Sequence, residues 1–225
     1  MNKSESVSVD KTRNFVFDRS ALEICKMAAK SQSSGTPLPE LVWLNPNGIV
    51  NYSDGYLLIS YRLPDKKEGS TQSRLFEKLH EQKDSKILKS VAFYGKEMAN
   101  ILNLKSDMED VGQEAIVRTS EKGGLDVFWD SGLAEVKYHI VEATINRPAF
   151  EAMHADQEVQ EQNGSRMLFD SGILEKAIKI IHKIQKRKDD KQIMINNYKD
   201  KGRIEFTSDG LSVVVMGLKM NNKND

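Results

Sequence analysis

Three stretches of the chain carry apolar residues at the spacing of an amphipathic helix, and each begins at a phenylalanine. These phenylalanines are Phe17, Phe93 and Phe169, and the interval between neighbours is 76 residues both times. A fixed interval between similar segments is typical of an internal repeat. The pattern therefore predicts three helices that belong to one repeated structural unit.

A second feature recurs downstream of each predicted helix, where alternating apolar and polar residues lead into a small acidic turn. The turns contain Gly55, Gly132 and Gly210, at intervals of 77 and 78 residues. Aspartate and serine bond to their own backbone in turns, and glycine adopts positive φ without steric cost. Each turn therefore predicts a β-hairpin. Three carboxylates in these turns are interpreted as turn-forming residues rather than as a catalytic site: Asp54, Asp130 and Asp209.

Together the two landmarks predict an α+β fold of three units, each a short strand, a helix and a three-stranded meander. The units span 14–64, 86–145 and 166–220, and the first two form one domain, 14–154. Strands are expected at 41–44, 48–52 and 56–63, and the third meander is expected to begin at 192–195. The helices are expected on one face of antiparallel sheets. The polar ends 1–13 and 221–225 have a disordered composition. A linker at 64–85 could form a helix at 73–82, and 155–165 is a predicted loop.

The third predicted helix, from Gly172 to about residue 188, has an unusually uniform charge. Its cations fall on the arc opposite the apolar residues, and no carboxylate lies between residues 176 and 188. Because like charges one turn apart repel, a face of this kind favours a polyanion as partner, although a solvated face remains the alternative. The cations of this face are Lys176, Lys179, Lys183, Lys186 and Arg187.

The other two helices carry a weaker basic signal. Lys26 and Lys30 lie on the polar side of the first helix, and Lys96 and Lys105 lie on the second. For both helices a solvated polar face is an equally good interpretation. No aromatic residue interrupts the basic face of the third helix, so the pattern favours contact with a nucleic-acid backbone over base stacking or base recognition.

Charge and composition restrict the function further. The chain of 225 residues has 33 Lys and Arg against 33 Asp and Glu, so its formal net charge is zero. Proteins that bind nucleic acid over an open face are usually basic, so either the charge is segregated within the fold or nucleic acid is not the partner. No apolar run is long enough to cross a membrane, and no signal peptide is visible at the N-terminus. The single cysteine, Cys25, excludes an intrachain disulfide, and we expect a cytoplasmic location.

No catalytic or cofactor motif is present in the sequence. The four histidines lack metal-ligand spacing, Cys25 fits a small core residue, and Gly123 and Gly124 fit a hairpin turn. There is no phosphate loop, dinucleotide fingerprint or nucleophile elbow. We therefore expect neither an enzyme nor a metal or cofactor site. A cluster of His139, Asp130 and Glu135 around a cleft would favour an enzyme instead.

Several short motifs resemble the DNA sliding clamps, and most closely the β subunit of bacterial DNA polymerase III. The helix start Phe169-Asp170-x-x-x-Leu174 is similar to one in that family. The turn at 51–58 is similar to the family's Thr-Asp-Gly-Tyr-x-Leu, and 214–220 is similar to its terminal Val-Val-Met-Pro-Met-Arg-Leu. A Pro-aromatic segment at 146–150 stands where the family has a linker. The resemblance covers residues 15–220.

The resemblance implies helices lining a central hole, with cations that face the phosphates of double-stranded DNA without reading its sequence. It implies a processivity factor or scaffold in DNA replication or repair, with an acidic rim that balances the basic lumen. It also implies a pocket for peptides of a DNA polymerase or clamp loader, where Val214 and Met216 match pocket positions. Gly217 replaces the family's proline there, and plain strand packing is the alternative for both residues.

The resemblance also implies a homo-oligomer, because clamp units pair into domains and the rings close with twelve units. Three units do not make a whole number of two-unit domains. Four chains would supply the twelve units of a ring, but only if unit three of each chain completed a domain across a subunit boundary. A degenerate clamp that closes no ring is the other possibility. A clamp-shaped adaptor that binds peptides and has no DNA function remains the alternative to the DNA-binding role.

Overall fold

The computed structural model describes residues 15–30, 40–64, 90–106, 115–120, 122–130, 135–145, 169–185, 193–198, 202–208 and 210–217. The predictions for the two termini, for a helix at 73–82 and for a loop at 155–165 lie outside these ranges.

The element order follows the predicted repeat of helix and meander. Unit one consists of β1 (Phe15–Phe17), α1 (Arg19–Lys30), β2 (Leu41–Leu44), β3 (Ile49–Ser53) and β4 (Leu57–Arg62). Unit two consists of β5 (Val91–Tyr94), α2 (Gly95–Ser106), β6 (Ala115–Thr119), β7 (Leu125–Asp130) and β8 (Glu135–Ile140). Unit three consists of α3 (Ser171–Gln185), β9 (Met194–Tyr198), β10 (Arg203–Ser208) and β11 (Leu211–Met216). The predicted α+β class is confirmed, and β9 begins two residues later than expected.

Units one and two exchange their first strands. β1 of unit one pairs with β6 of unit two, and β5 of unit two pairs with β2 of unit one. The resulting sheets have the orders β1-β6-β7-β8 and β5-β2-β3-β4-β11-β10-β9, and all pairs are antiparallel. The exchange is reciprocal, so the two units form one interlocked body.

Unit three extends the larger sheet. Its last strand β11 pairs with β4, and Val213 lies opposite Ile59 in that register. β9 forms the far edge of the sheet. Unit three is therefore joined to unit one along strands, and not by the exchange that joins units one and two.

Two of the three described helices, α1 and α3, begin after an aspartate that follows the repeated phenylalanine. Asp18 accepts a hydrogen bond from the Ala21 N–H, and Asp170 accepts one from the Ile173 N–H, each at 3.0 Å. A side-chain acceptor at a helix start is worth about 1 kcal/mol because it satisfies a backbone donor that has no partner in the helix. The Phe-Asp pair in the sequence is thus a helix-start signal.

One core joins the helices to both sheets. Phe17 and Phe93, the equivalent residues of units one and two, are fully buried and meet edge to face with ring centroids 6.3 Å apart. Cys25 is also fully buried, as expected for a small core residue, and burial raises the pKa of its thiol. A second, smaller cluster lies on the other face of the larger sheet, where Ala143 and Ile145 pack over it.

The acidic turn of unit one and the β6–β7 turn have the predicted chemistry, whereas Gly132, Asp209 and the side chain of Asp130 lie outside the described set. The Asp54 carboxylate accepts the N–H groups of Tyr56 and Leu57 at 3.2 and 2.9 Å, and Gly55 has a φ of 93°. Gly123 and Gly124 form the β6–β7 turn with φ values of 85° and 83°. Asp54 is therefore a turn-forming residue, as its position in the repeat indicates.

Candidate nucleic-acid interface

The three helices lie side by side in the order α2, α1, α3. α1 packs against both of the others, and all three contribute to the same core. Because α1 is central, the polar sides of α1 and α3 border a common groove. The structure therefore brings the helix with the strongest basic signal next to the helix with the intermediate one.

The groove between α1 and α3 has a volume of about 380 Å³ and collects five of the predicted site residues. Two glutamates, Glu23 and Glu175, are the carboxylates among its lining residues. The lysines that line it are Lys26, Lys30, Lys176, Lys179 and Lys183.

Lys176 is the most constrained lysine of the groove. Its Nζ lies 2.5 Å from Oδ2 of Asp54 and 5.8 Å from the centroid of the Tyr52 ring. Desolvation disfavours the charge of Lys176, but the hydrogen bond to Asp54 and the proximity of Tyr52 outweigh it and raise its pKa. The contact ties α3 to the β3–β4 turn of unit one.

Three other lysines lie beside carboxylates, and only the pair of Lys183 joins two helices, since the other two pairs lie within α1 and within α3. Lys183 lies 3.2 Å from Glu23 of α1, and Lys26 lies 3.6 Å from the same residue. Lys179 lies 2.6 Å from Glu175, and the hydrogen bond from Lys179 lowers the pKa of this glutamate. Solvent and salt screen ion pairs between exposed side chains, so these contacts hold the lysines only weakly.

The remaining predicted cations are distributed differently. Lys96 is exposed on α2. Lys105 belongs to α2, but its side chain lies outside the described set, as do Lys186 and Arg187. Of the predicted cations, α2 thus contributes one described side chain, whereas α1 and α3 together contribute five.

Val214 and Met216, the residues matched to a peptide pocket, lie on β11. Val214 is 1% exposed and packs with Leu41, Trp43 and Leu58 in the smaller cluster, so it offers no surface to a ligand. Met216 is partly exposed at the border of that cluster. Of the two alternatives for these residues, plain strand packing applies to Val214. A peptide-binding role for the pair stays a prediction.

The candidate enzyme cluster does not assemble. Asp130 pairs in register with Glu135, four residues along β8 from His139, which is on the order of 13 Å in a strand. His139 instead lies 3.0 Å from Asp126 through Nδ1. Within the described residues no group of His, Cys, Asp and Glu side chains could hold a metal ion.

Asp126 lies among three basic side chains, and no motif in the sequence indicates this cluster. It lies on the face of the smaller sheet away from the helices, 3.2 Å from Lys137 and 4.0 Å from Arg118. Desolvation opposes its charge, but the hydrogen bonds from His139 and Lys137 lower its pKa. Because Asp126 alternates with the apolar Leu125 and Val127 along β7, the sequence predicts that it lies on the polar face of the strand. The sequence does not predict which residues of the neighbouring strands lie beside it.

None of the helices in the described ranges is long and apolar enough to span a membrane.

The chain combines antiparallel sheets with three adjacent helices on one side, and this arrangement matches the DNA sliding-clamp fold. Solved structures that the chain matches include β subunits of bacterial DNA polymerase III. The chain matches the one from Thermotoga maritima with a TM-score of 0.52 and 8% identity, over 92% of this chain and 65% of that one. It matches the Pseudomonas aeruginosa subunit with a TM-score of 0.52 and 10% identity, over 93% of this chain and 66% of that one. The Streptococcus pyogenes subunit gives 0.50 and 11%, over 94% and 66%.

The similarity establishes the fold, and the chain spans about two thirds of the length of these subunits. Comparison of the sequence with protein-family models and with curated proteins gives no match.

Proposed function

We propose that the protein is a non-catalytic, clamp-like factor that contacts the backbone of double-stranded DNA and serves as a processivity factor or scaffold in replication or repair. The observation that supports this is the lysine-lined groove between α1 and α3. DNA polymerase or clamp-loader peptides, further copies of the chain and a cytoplasmic location belong to the same proposal, by analogy with the clamp fold.

The groove is positive although the chain is neutral. Five lysines line it, against Glu23 and Glu175, and the Asp54 contact to Lys176 brings the carboxylates to three. The whole chain carries equal numbers of cations and anions. Charge is therefore segregated toward this groove, which is what a neutral protein needs in order to attract a polyanion.

The lysines are exposed enough to exchange partners. The side chains of Lys179 and Lys183 are 69% and 56% exposed, and each has an exchangeable ion pair. Phosphate contact by lysine releases condensed counterions from DNA, and this favours binding whatever the sequence. Lys176 is more restricted, because Asp54 and Tyr52 hold it, so we assign it a smaller share.

A charge-reversal experiment tests the proposal. In the variant carrying Lys179→Glu and Lys183→Glu, the affinity for a labelled duplex at low salt should fall. Because two phosphate contacts are lost, the slope of log K against log salt should become shallower by about 2. Fluorescence anisotropy at several salt concentrations measures both quantities.

Lys137→Glu is a matched control. Lys137 is 54% exposed and lies 3.2 Å from one carboxylate, close to the values for Lys183, but it sits on the sheet face away from the helices. Its reversal should leave DNA affinity and slope unchanged. Equal losses in both variants, or no loss in either, would contradict the DNA interface. Retained binding of polymerase peptides without any DNA association would favour the peptide adaptor.

A further inference from the structure

Unit three exposes an apolar surface that the other two units cover. Its first meander strand, β9, carries Met194 and Ile195, which are 65% and 62% exposed, and Ile193 just before it is 42% exposed. The corresponding strand of unit one, β2, has no residue more than 1% exposed. Residues 115–117 of β6, the corresponding strand of unit two, are fully buried.

The reason for this difference is the exchanged strand. β2 is covered because β5 of unit two pairs with it, and β6 is covered because β1 of unit one pairs with it. In the described ranges β9 pairs only with β10. An edge strand leaves one row of backbone N–H and C=O groups without strand partners. The sequence of β9, Met-Ile-Asn-Asn-Tyr, has no charge or proline to discourage pairing.

The helix of unit three shows the same incompleteness. α1 lies along the flank of α3 that carries Lys176 and Lys183. At about 100° per residue, Ile178 falls on the opposite flank, and it is 53% exposed. In units one and two the equivalent space is filled, because α1 and α2 pack against each other. Ile195 lies on the same sheet face as buried Phe206, so the exposed strand and the exposed helix flank border one open side.

We propose that a second copy of the chain covers this side, with unit three of each copy completing the other as units one and two complete each other. The exchange between units one and two is reciprocal, with equivalent elements in equivalent places. Contact between equivalent residues is a property of two-fold interfaces. Phe17 and Phe93 make such a contact, and the third equivalent residue, Phe169, is only partly buried in the single chain.

The resulting dimer has a defined geometry. Each α3 packs on its counterpart along the Ile178 flank, and Phe169 of one copy meets Phe169 of the other. Six units then form three complete domains. The proposal identifies the contact surface for the oligomer in the proposed function, and it does not depend on DNA binding.

Solution mass with a surface variant tests the dimer. Light scattering of the full chain should give twice 25.5 kDa, or a higher even multiple. Ile195→Lys should raise the dissociation constant of the dimer by about tenfold or more, because it places a charge in a contact that buries a whole isoleucine. Val141→Lys is the matched control, because Val141 is 69% exposed and follows β8. A wild-type monomer, a trimer, or equal effects of both variants would overturn the proposal.

Cross-linking provides a second measurement that a folding defect cannot imitate. The single native thiol, Cys25, is fully buried, so an introduced cysteine is the reactive one. Ile178→Cys with a short bis-maleimide should give a covalent dimer, whereas Val141→Cys should not. Absence of the Ile178→Cys product in a chain with dimer mass would place the interface elsewhere. Ile195→Lys should lower the mass, whereas the Lys179 and Lys183 reversal should lower DNA affinity alone, so the two proposals can fail separately.

Discussion

Gly95→Ala tests the packing of unit one on unit two at a single point. Gly95 is the first residue of α2 and faces α1. A Cβ there would lie 2.7 Å from the Ala28 Cβ and 2.7 Å from the Cys25 carbonyl oxygen, about 1 Å closer than carbon atoms normally approach. The two helices would have to separate, and overpacking of this kind costs about 1–3 kcal/mol.

The gain in helix propensity opposes this cost. Alanine is favoured over glycine in a helix by up to about 1 kcal/mol, so we expect a net loss of roughly 1–2 kcal/mol in the free energy of unfolding. For a chain of this size the loss corresponds to a melting temperature lower by about 2–8 °C. Urea unfolding followed by circular dichroism measures the loss in the free energy of unfolding. Both proteins are compared at one concentration, because any oligomer shifts the midpoint.

Gly172→Ala is the matched control for this substitution. Gly172 lies in the first turn of α3, and a Cβ there would meet only the Asp170 carboxylate oxygen, at 3.1 Å. Since this atom belongs to a side chain that can shift, we expect stability to stay the same or to rise by up to about 1 kcal/mol. If Gly95→Ala proves as stable as Gly172→Ala, α1 and α2 do not approach at this point, and the packing argument is wrong.

Two further predictions concern the smaller sheet. Gly124→Ala should lower the free energy of unfolding by about 3 kcal/mol or more, because a Cβ would lie 2.0 Å from the Ile140 carbonyl oxygen and φ is +83°. Thermal unfolding measures this loss. A melting temperature within 2 °C of wild type corresponds to well under 3 kcal/mol and would refute the prediction. For Asp126, the folded pKa lies below the ordinary 3.8, so its stabilisation is present above that value and is lost as pH falls through the folded pKa. Asp126→Asn should therefore flatten the acid limb of stability against pH, and an unchanged limb would contradict the assignment.

Local chemistry made the elements predictable. The Phe-Asp start of units one and three places a ring that packs on the core next to a helix-capping carboxylate, and the two residues are adjacent in the sequence. The acidic-glycine turn is likewise complete within four residues, as Asp54 and Gly55 show. Physical determinants this short can be recognised in the sequence without knowing the rest of the fold.

The strand exchange could not be predicted from these patterns. Phe15–Phe17 is buried on every residue, and such a run indicates a covered strand without indicating which strand covers it. Its partner β6 lies about a hundred residues further along the chain. The exchange is a property of the assembled units, so the repeat predicted what the units contain and not how they interlock.

The charge pattern of the groove was predictable in part. Helical spacing placed Lys176 and Lys183 on one side of α3, and the structure confirms that side as polar. Their carboxylate partners are 122 and 160 residues away, on the β3–β4 turn and on α1. A helical projection shows only the residues of one helix. It therefore showed no carboxylate between the cations of α3, although neighbouring elements place carboxylates beside them.

The salt dependence of binding to duplexes of unrelated sequence is the decisive measurement for the proposed DNA interface. Two duplexes of equal length and different sequence should bind with equal affinity, and log K should fall linearly with log salt. If all five groove lysines meet phosphates, the slope should be about −4 to −5. Absence of binding at low salt, or a flat salt response with a strong sequence preference, would contradict backbone contact through this groove.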